Sequence, residues 1–89
     1  MSIGNYVAMA KPSPTHSGSK ELVSLGKTIR VLRLETGLSQ EALADEAEID
    51  RSYMGGIERG EHNVALVNIV KIARALQITT AELFTKAKL

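Results

Sequence analysis

Apolar residues recur along most of this chain at three- and four-residue intervals, a spacing that predicts a succession of helices. Leu22, Leu25, Ile29 and Leu32 form one stripe, with Lys27, Arg30, Arg33 and Glu35 on the other faces. Gly37 supplies a left-handed stop, and Leu38 beyond it can pack back on the last turn. Ser39 is a good N-cap for a second helix, Gln40 to about Ala47, which buries Leu43, Ala44 and Ala47. A turn at Glu48 and Ile49 leads to Asp50, a cap for a third helix from Arg51 to Arg59, stopped by Gly60. Leu66, Ile69, Val70, Ala73 and Leu76 mark a fourth helix. Thr79-Thr80-Ala81-Glu82 is a capping box that opens a fifth, carrying Leu83 and Phe84. The expected fold class is all-α, five short helices with tight connections.

The first twenty residues break this pattern. They hold Pro12, Pro14, Gly4 and Gly18 among Ser, Thr and Asn, with no period. Residues 1–20 therefore read as a flexible N-terminal arm, and 21–89 as the single domain. Lys11 and Lys20 could carry the arm to a phosphate, but a plain flexible leader is the simpler reading.

Composition narrows the function. Only 3% of residues are aromatic against 44% hydrophobic, so the core is aliphatic. There is no cysteine, and His16 and His62 are too few and too far apart for a metal site, so neither metal nor cofactor is expected. No apolar run approaches the ~20 residues needed to cross a bilayer. The start lacks a signal-like pattern, so no membrane association and a cytoplasmic location are expected. No nucleophile elbow, phosphate-binding glycine loop or metal-ligand pair is present, which argues against an enzyme. The net charge is only +1, and residues 21–89 are left almost neutral once Lys11 and Lys20 are set aside. Binding to nucleic acid then requires positive charge gathered on one face.

The segment Ser39 to Gly60 has the form of a helix-turn-helix, two helices of about eight residues around a short turn. Ser39 and Gln40 offer a polar cap and helix amides to phosphate. Ala44 allows close helix approach, Ile49 anchors the turn, and Met54 and Ile57 face inward. Arg51, Ser52 and Gly55-Gly56 make up the outward face of the second helix.

The runs Gly37 to Ala44, Ile49 to Gly60, Asn68 to Leu76 and Glu82-Leu83-Phe84 resemble the Xre/Cro family of lambda-repressor-like helix-turn-helix proteins. The likeness spans about Leu22 to Phe84. Asp50-Arg51-Ser52-Tyr53 with Gly56-Ile57-Glu58-Arg59 is similar to restriction–modification controller proteins. The resemblance implies a regulator acting as a homodimer on a palindromic or repeated operator in double-stranded DNA. It implies Ser39 and Gln40 at phosphate or the first base, and Arg51, Ser52 and Gly56 facing bases. Arg59 and Asn63 fall at positions that touch the backbone, and Arg33 and Glu58 match a family ion pair. Tyr53 can either donate its hydroxyl to phosphate or pack half-buried on the domain.

Three residues depart from the family pattern. Glu48 replaces a turn glycine, Gly55 a serine, and Ala65 a capping serine. The dimer surface is expected around the fourth and fifth helices, including Leu83 and Phe84, and His62 is expected at the surface. Glu41, Asp45, Glu46 and Glu48 form an acidic run that reads as a solvated face or as a contact for transcription machinery. The competing function is an antitoxin-like or anti-repressor module whose main partner is another protein.

Overall fold

The computed structural model describes residues 12–89. They form five helices: α1 Lys20–Glu35, α2 Gln40–Ala47, α3 Arg51–Glu58, α4 Leu66–Ala75 and α5 Thr80–Ala87. Each start has a local cause. The Ser39 hydroxyl accepts from the Ala42 amide at 3.0 Å, and Asp50 accepts from the amides of Ser52 and Tyr53 at 3.1 and 3.3 Å. Thr79 and Glu82 complete a reciprocal capping box, both bonds 3.0 Å long. Ser19, which the hydrophobic pattern does not single out, caps α1 through the Leu22 amide. Ala65 stands at the cap of α4 and has no side chain that can do so.

Glu48 closes α2 in the left-handed conformation, at φ 56° and ψ 44°. This is the strained turn position that the missing glycine predicts, and it costs about 1 kcal/mol.

The core is aliphatic. Ile29, Leu43, Met54, Ile57, Ile72 and Leu83 are its largest fully buried side chains. α1 packs on α3 and α5, α2 on α3 and α4, and α4 on α5. α3 is therefore gripped from two sides, by α1 and α2, with one flank left to solvent. The α1–α3 contact is very close at Gly26, where a methyl group would overlap the Ile57 carbonyl and lie 2.6 Å from that of Glu58. Only glycine lets these two backbones meet.

Three expectations are corrected here. Leu83 is 0% exposed and belongs to the core, so it cannot form a dimer surface; Phe84 beside it is only half-buried. The strongly exposed apolar residues of α4 are instead Leu66 and Val67, at 64% and 65%. His62 is buried, 5% exposed, because its ring lies over Gly56 and meets Tyr53 edge-on, centroids 4.7 Å apart. The arm is tied down over part of its length. The Ser13 amide donates to the Glu61 carbonyl at 2.7 Å, and that of Gly18 to the Gly60 carbonyl at 2.8 Å. The turn after α3, with Gly60 at φ +77°, leaves these carbonyls unused by the helix, and the incoming chain takes them. Residues 1–11, including Lys11, lie outside the described residues.

Candidate nucleic-acid interface

The exposed flank of α3 begins with Arg51 and Ser52, both at the surface. Their placement follows from the cap: Asp50 turns the chain into the helix, and the first turn projects beyond α2. The Ser52 hydroxyl donates a hydrogen bond back to the Asp50 carboxylate. That bond, and then the Tyr53 amide, hold the Asp50 carboxyl below its ordinary range. Ser52 thus serves its own helix start as well as the surface.

Arg51 does not stand alone. Its Nη1 donates to Gln40 Oε1 at 3.2 Å, and Gln40 Nε2 donates to Glu58 Oε1 at 3.0 Å. Glu58 in turn receives Arg33 through a two-pronged pair, Nε to Oε2 at 2.7 Å and Nη2 to Oε1 at 3.1 Å. The third prong of Arg33, Nη1, donates to the Leu38 carbonyl at 3.0 Å. Arg33 and Glu58 are both buried, with side chains 10% and 3% exposed. One polar chain therefore runs from the inside of α1 through the end of α3 and the start of α2 to the arginine at the surface. The ion pair is the one that the family resemblance implies. The link through Gln40 is new, because sequence spacing places Gln40 at a helix start without revealing what its amide reaches.

Arg59 lies on the same flank. Its Nη1 and Gln40 Oε1 come within 3.1 and 3.2 Å of where a side chain on Gly55 would begin. The bare backbone at Gly55 lets both lie flat against the helix. Arg59 is also paired with Glu61, Nε to Oε2 at 2.8 Å and Nη2 to Oε1 at 3.2 Å. This mutual bond raises the Arg59 pKa and lowers that of Glu61. Glu61 escaped the sequence reading; its signal was an acid two residues beyond a base, across a glycine turn.

Of the expected site residues, Ser39, Gln40, Arg51, Ser52 and Arg59 gather around the start and outer flank of α3. Asn63 is exposed in the following loop, and Tyr53 is half-buried against His62. Gly56 is corrected: it is buried under the His62 ring, where a methyl group would overlap that ring, so it does not face outward. Glycine is required there for packing.

A model of the helix-turn-helix family matches residues 29–83, from within α1 into α5. The chain belongs to the helix-turn-helix family. It is a sequence-specific DNA-binding transcriptional regulator of the Xre-like kind. Among relatives, control protein C.MunI from Mycoplasma sp is 45% identical over 71% of this chain and 86% of its own. Control protein C.BamHI from Bacillus amyloliquefaciens is 44% identical over 65% and 73%. Among solved structures, the restriction–modification controller protein C.AhdI from Aeromonas hydrophila superposes with a TM-score of 0.69. It is 57% identical over 71% of this chain and 96% of its own. Among the described residues, no helix of this helix-turn-helix protein is long and apolar enough to cross a membrane.

Proposed function

We propose that this protein is a cytoplasmic, non-enzymatic controller of restriction–modification genes. It works as a homodimer that sets the start of α3 from each subunit into successive major grooves of a palindromic or repeated operator. The observation that carries this reading is the exposed Arg51 at the first turn of α3, steadied by Gln40. An arginine in that place can pair bidentately with guanine O6 and N7, worth about 1–3 kcal/mol of discrimination. Arg59 and Asn63 flank it as backbone contacts, with Ser39 and the first amides of α2 at the neighbouring phosphate. The controller assignment rests on the likeness to C.MunI, C.BamHI and C.AhdI. Leu66 and Val67, apolar and exposed on α4, supply the dimer contact in place of Leu83. The exposed acids Glu41, Asp45, Glu46 and Glu48 are the face offered to transcription machinery.

The test selects an operator from a randomised DNA pool and compares it with scrambled DNA at fixed salt. Arg51→Ala is expected to abolish preference at one base pair of each half-site, while Arg59→Ala weakens both DNAs alike. Loss of affinity for both DNAs equally in Arg51→Ala would make Arg51 a backbone contact. A parent protein with no sequence preference would favour the antitoxin-like reading, in which the main partner is another protein.

A further inference from the structure

One acidic residue on the reading flank has no place in a DNA contact. Glu61 brings both carboxylate oxygens onto Arg59, at 2.8 and 3.2 Å, the fork geometry that a phosphate would also use. The pair is open to solvent, with side chains 62% and 30% exposed. The hydrogen bonds from Arg59 are the largest influence that favours the carboxylate, and the adjacent His62 adds a smaller electrostatic one. Glu61 sits beyond the carboxyl end of α3, the end of a helix that repels negative charge. Its Oε1 lies 3.4 Å from where a side chain on Gly56 would begin, close against that final turn. Arg59 is therefore the group that accounts for its position.

We propose that Glu61 is a built-in competitor of DNA phosphate: it holds the Nε–Nη2 edge of Arg59 in the unbound protein and must be displaced when Arg59 engages the DNA backbone. The proposal rests on the reading of Arg59 as a backbone contact. Its consequence is a protein whose hold on DNA of any sequence is restrained from within. An exposed ion pair is weak, so phosphate can win, but each subunit gives up part of its electrostatic gain to break the pair. The counterion release expected from Arg59 is correspondingly muted. In a chain of net charge +1, the loss of one exposed arginine's full effect is a large fraction of what is available.

The experiment compares the parent, Glu61→Gln, Arg59→Ala and the double variant on a selected operator and on scrambled DNA, across a salt series. Glu61→Gln keeps the backbone bonds that residue 61 makes to Ser13 and Gly56, and its thermal midpoint is expected to stay within about two degrees. Its affinity is expected to rise about fivefold on both DNAs, with a salt dependence steeper by up to about 0.9 per subunit. In the Arg59→Ala background the same change is expected to alter affinity less than about twofold. An equal gain in both backgrounds would reduce Glu61 to a general negative charge and overturn the proposal. Unchanged affinity and slope in Glu61→Gln would overturn it as well. If Arg59→Ala leaves DNA binding intact, the backbone assignment of Arg59 fails first, and the proposal with it. A parent that binds neither DNA would overturn the regulator reading itself.

Discussion

Gly26 of α1 faces the carbonyl of Ile57 in α3 so closely that no side chain fits between the two helices. The contact fixes how deeply α3 sits, and with it how far Arg51 stands out. Gly26→Ala is expected to destabilise the protein by about 1–3 kcal/mol or more, although alanine ordinarily favours a helix interior. Urea denaturation should show a lower midpoint with an unchanged slope. An unchanged or raised midpoint would mean that α1 and α3 can separate at little cost.

The Arg33–Glu58 pair is buried and bonded at both prongs. Removing one partner strands the other, at about 3–5 kcal/mol. Arg33→Met and Glu58→Gln are each expected to destabilise, and the double variant to lose far less than the sum. Glu58→Gln should also loosen Gln40 and so blunt the sequence preference carried by Arg51. A double-mutant cycle with strictly additive losses would show that the two residues are not coupled.

Ala65 heads α4 with no capping bond, while the other four helices each have one. Ala65→Ser is expected to stabilise by about 1 kcal/mol, read as a rise in thermal midpoint. Glu48→Gly should add a comparable gain by relieving the left-handed turn. The two sites belong to different helix ends and share no bond, so the gains should sum. A midpoint that fails to rise in Ala65→Ser would show that water already satisfies the first amides of α4.

Three carboxylates that cap helices or pair with Arg59 resist protonation in the folded protein, and acid removes the stability they contribute. Asp50 is held low by the Ser52 hydroxyl, Glu61 by Arg59 and Glu82 by the Thr79 amide. A carboxyl with a depressed folded pKa contributes stability above its unfolded value and loses it as pH falls through the folded one. Stability is therefore expected to hold down to about pH 5 and to fall progressively below about pH 4. Asn can cap a helix without titrating, so Asp50→Asn should flatten part of that fall. Thermal midpoints from pH 6 to 2 measure it; identical pH profiles for parent and variant would remove Asp50 from the account.

The sequence alone determined the local part of this protein. Ser39, Asp50 and the Thr79–Glu82 box place helix starts because a cap is a contact within three residues, and Gly37 and Gly60 place stops for the same reason. The three-and-four spacing of Leu22, Leu25, Ile29, Leu32, Leu43, Met54, Ile57, Ile69 and Leu76 chose the inward faces; seven of the nine are buried, while Leu22 and Leu32 are half-buried. The order of motifs identified the helix-turn-helix and put Arg51 at its leading edge. Tertiary structure decided what depends on which helix lies beside which. Gly26 and Gly56 look like ordinary weak points of helices until α1 is seen against α3 and the His62 ring against Gly56. Leu83 reads equally well as core or interface, because periodicity marks an apolar face without saying what covers it; here the domain's own helices cover it completely. The path from Arg33 through Glu58 and Gln40 to Arg51 joins three helices by side-chain tips. Such tips meet only when the backbones are already packed, and a linear pattern records spacing along one helix, not distance between two.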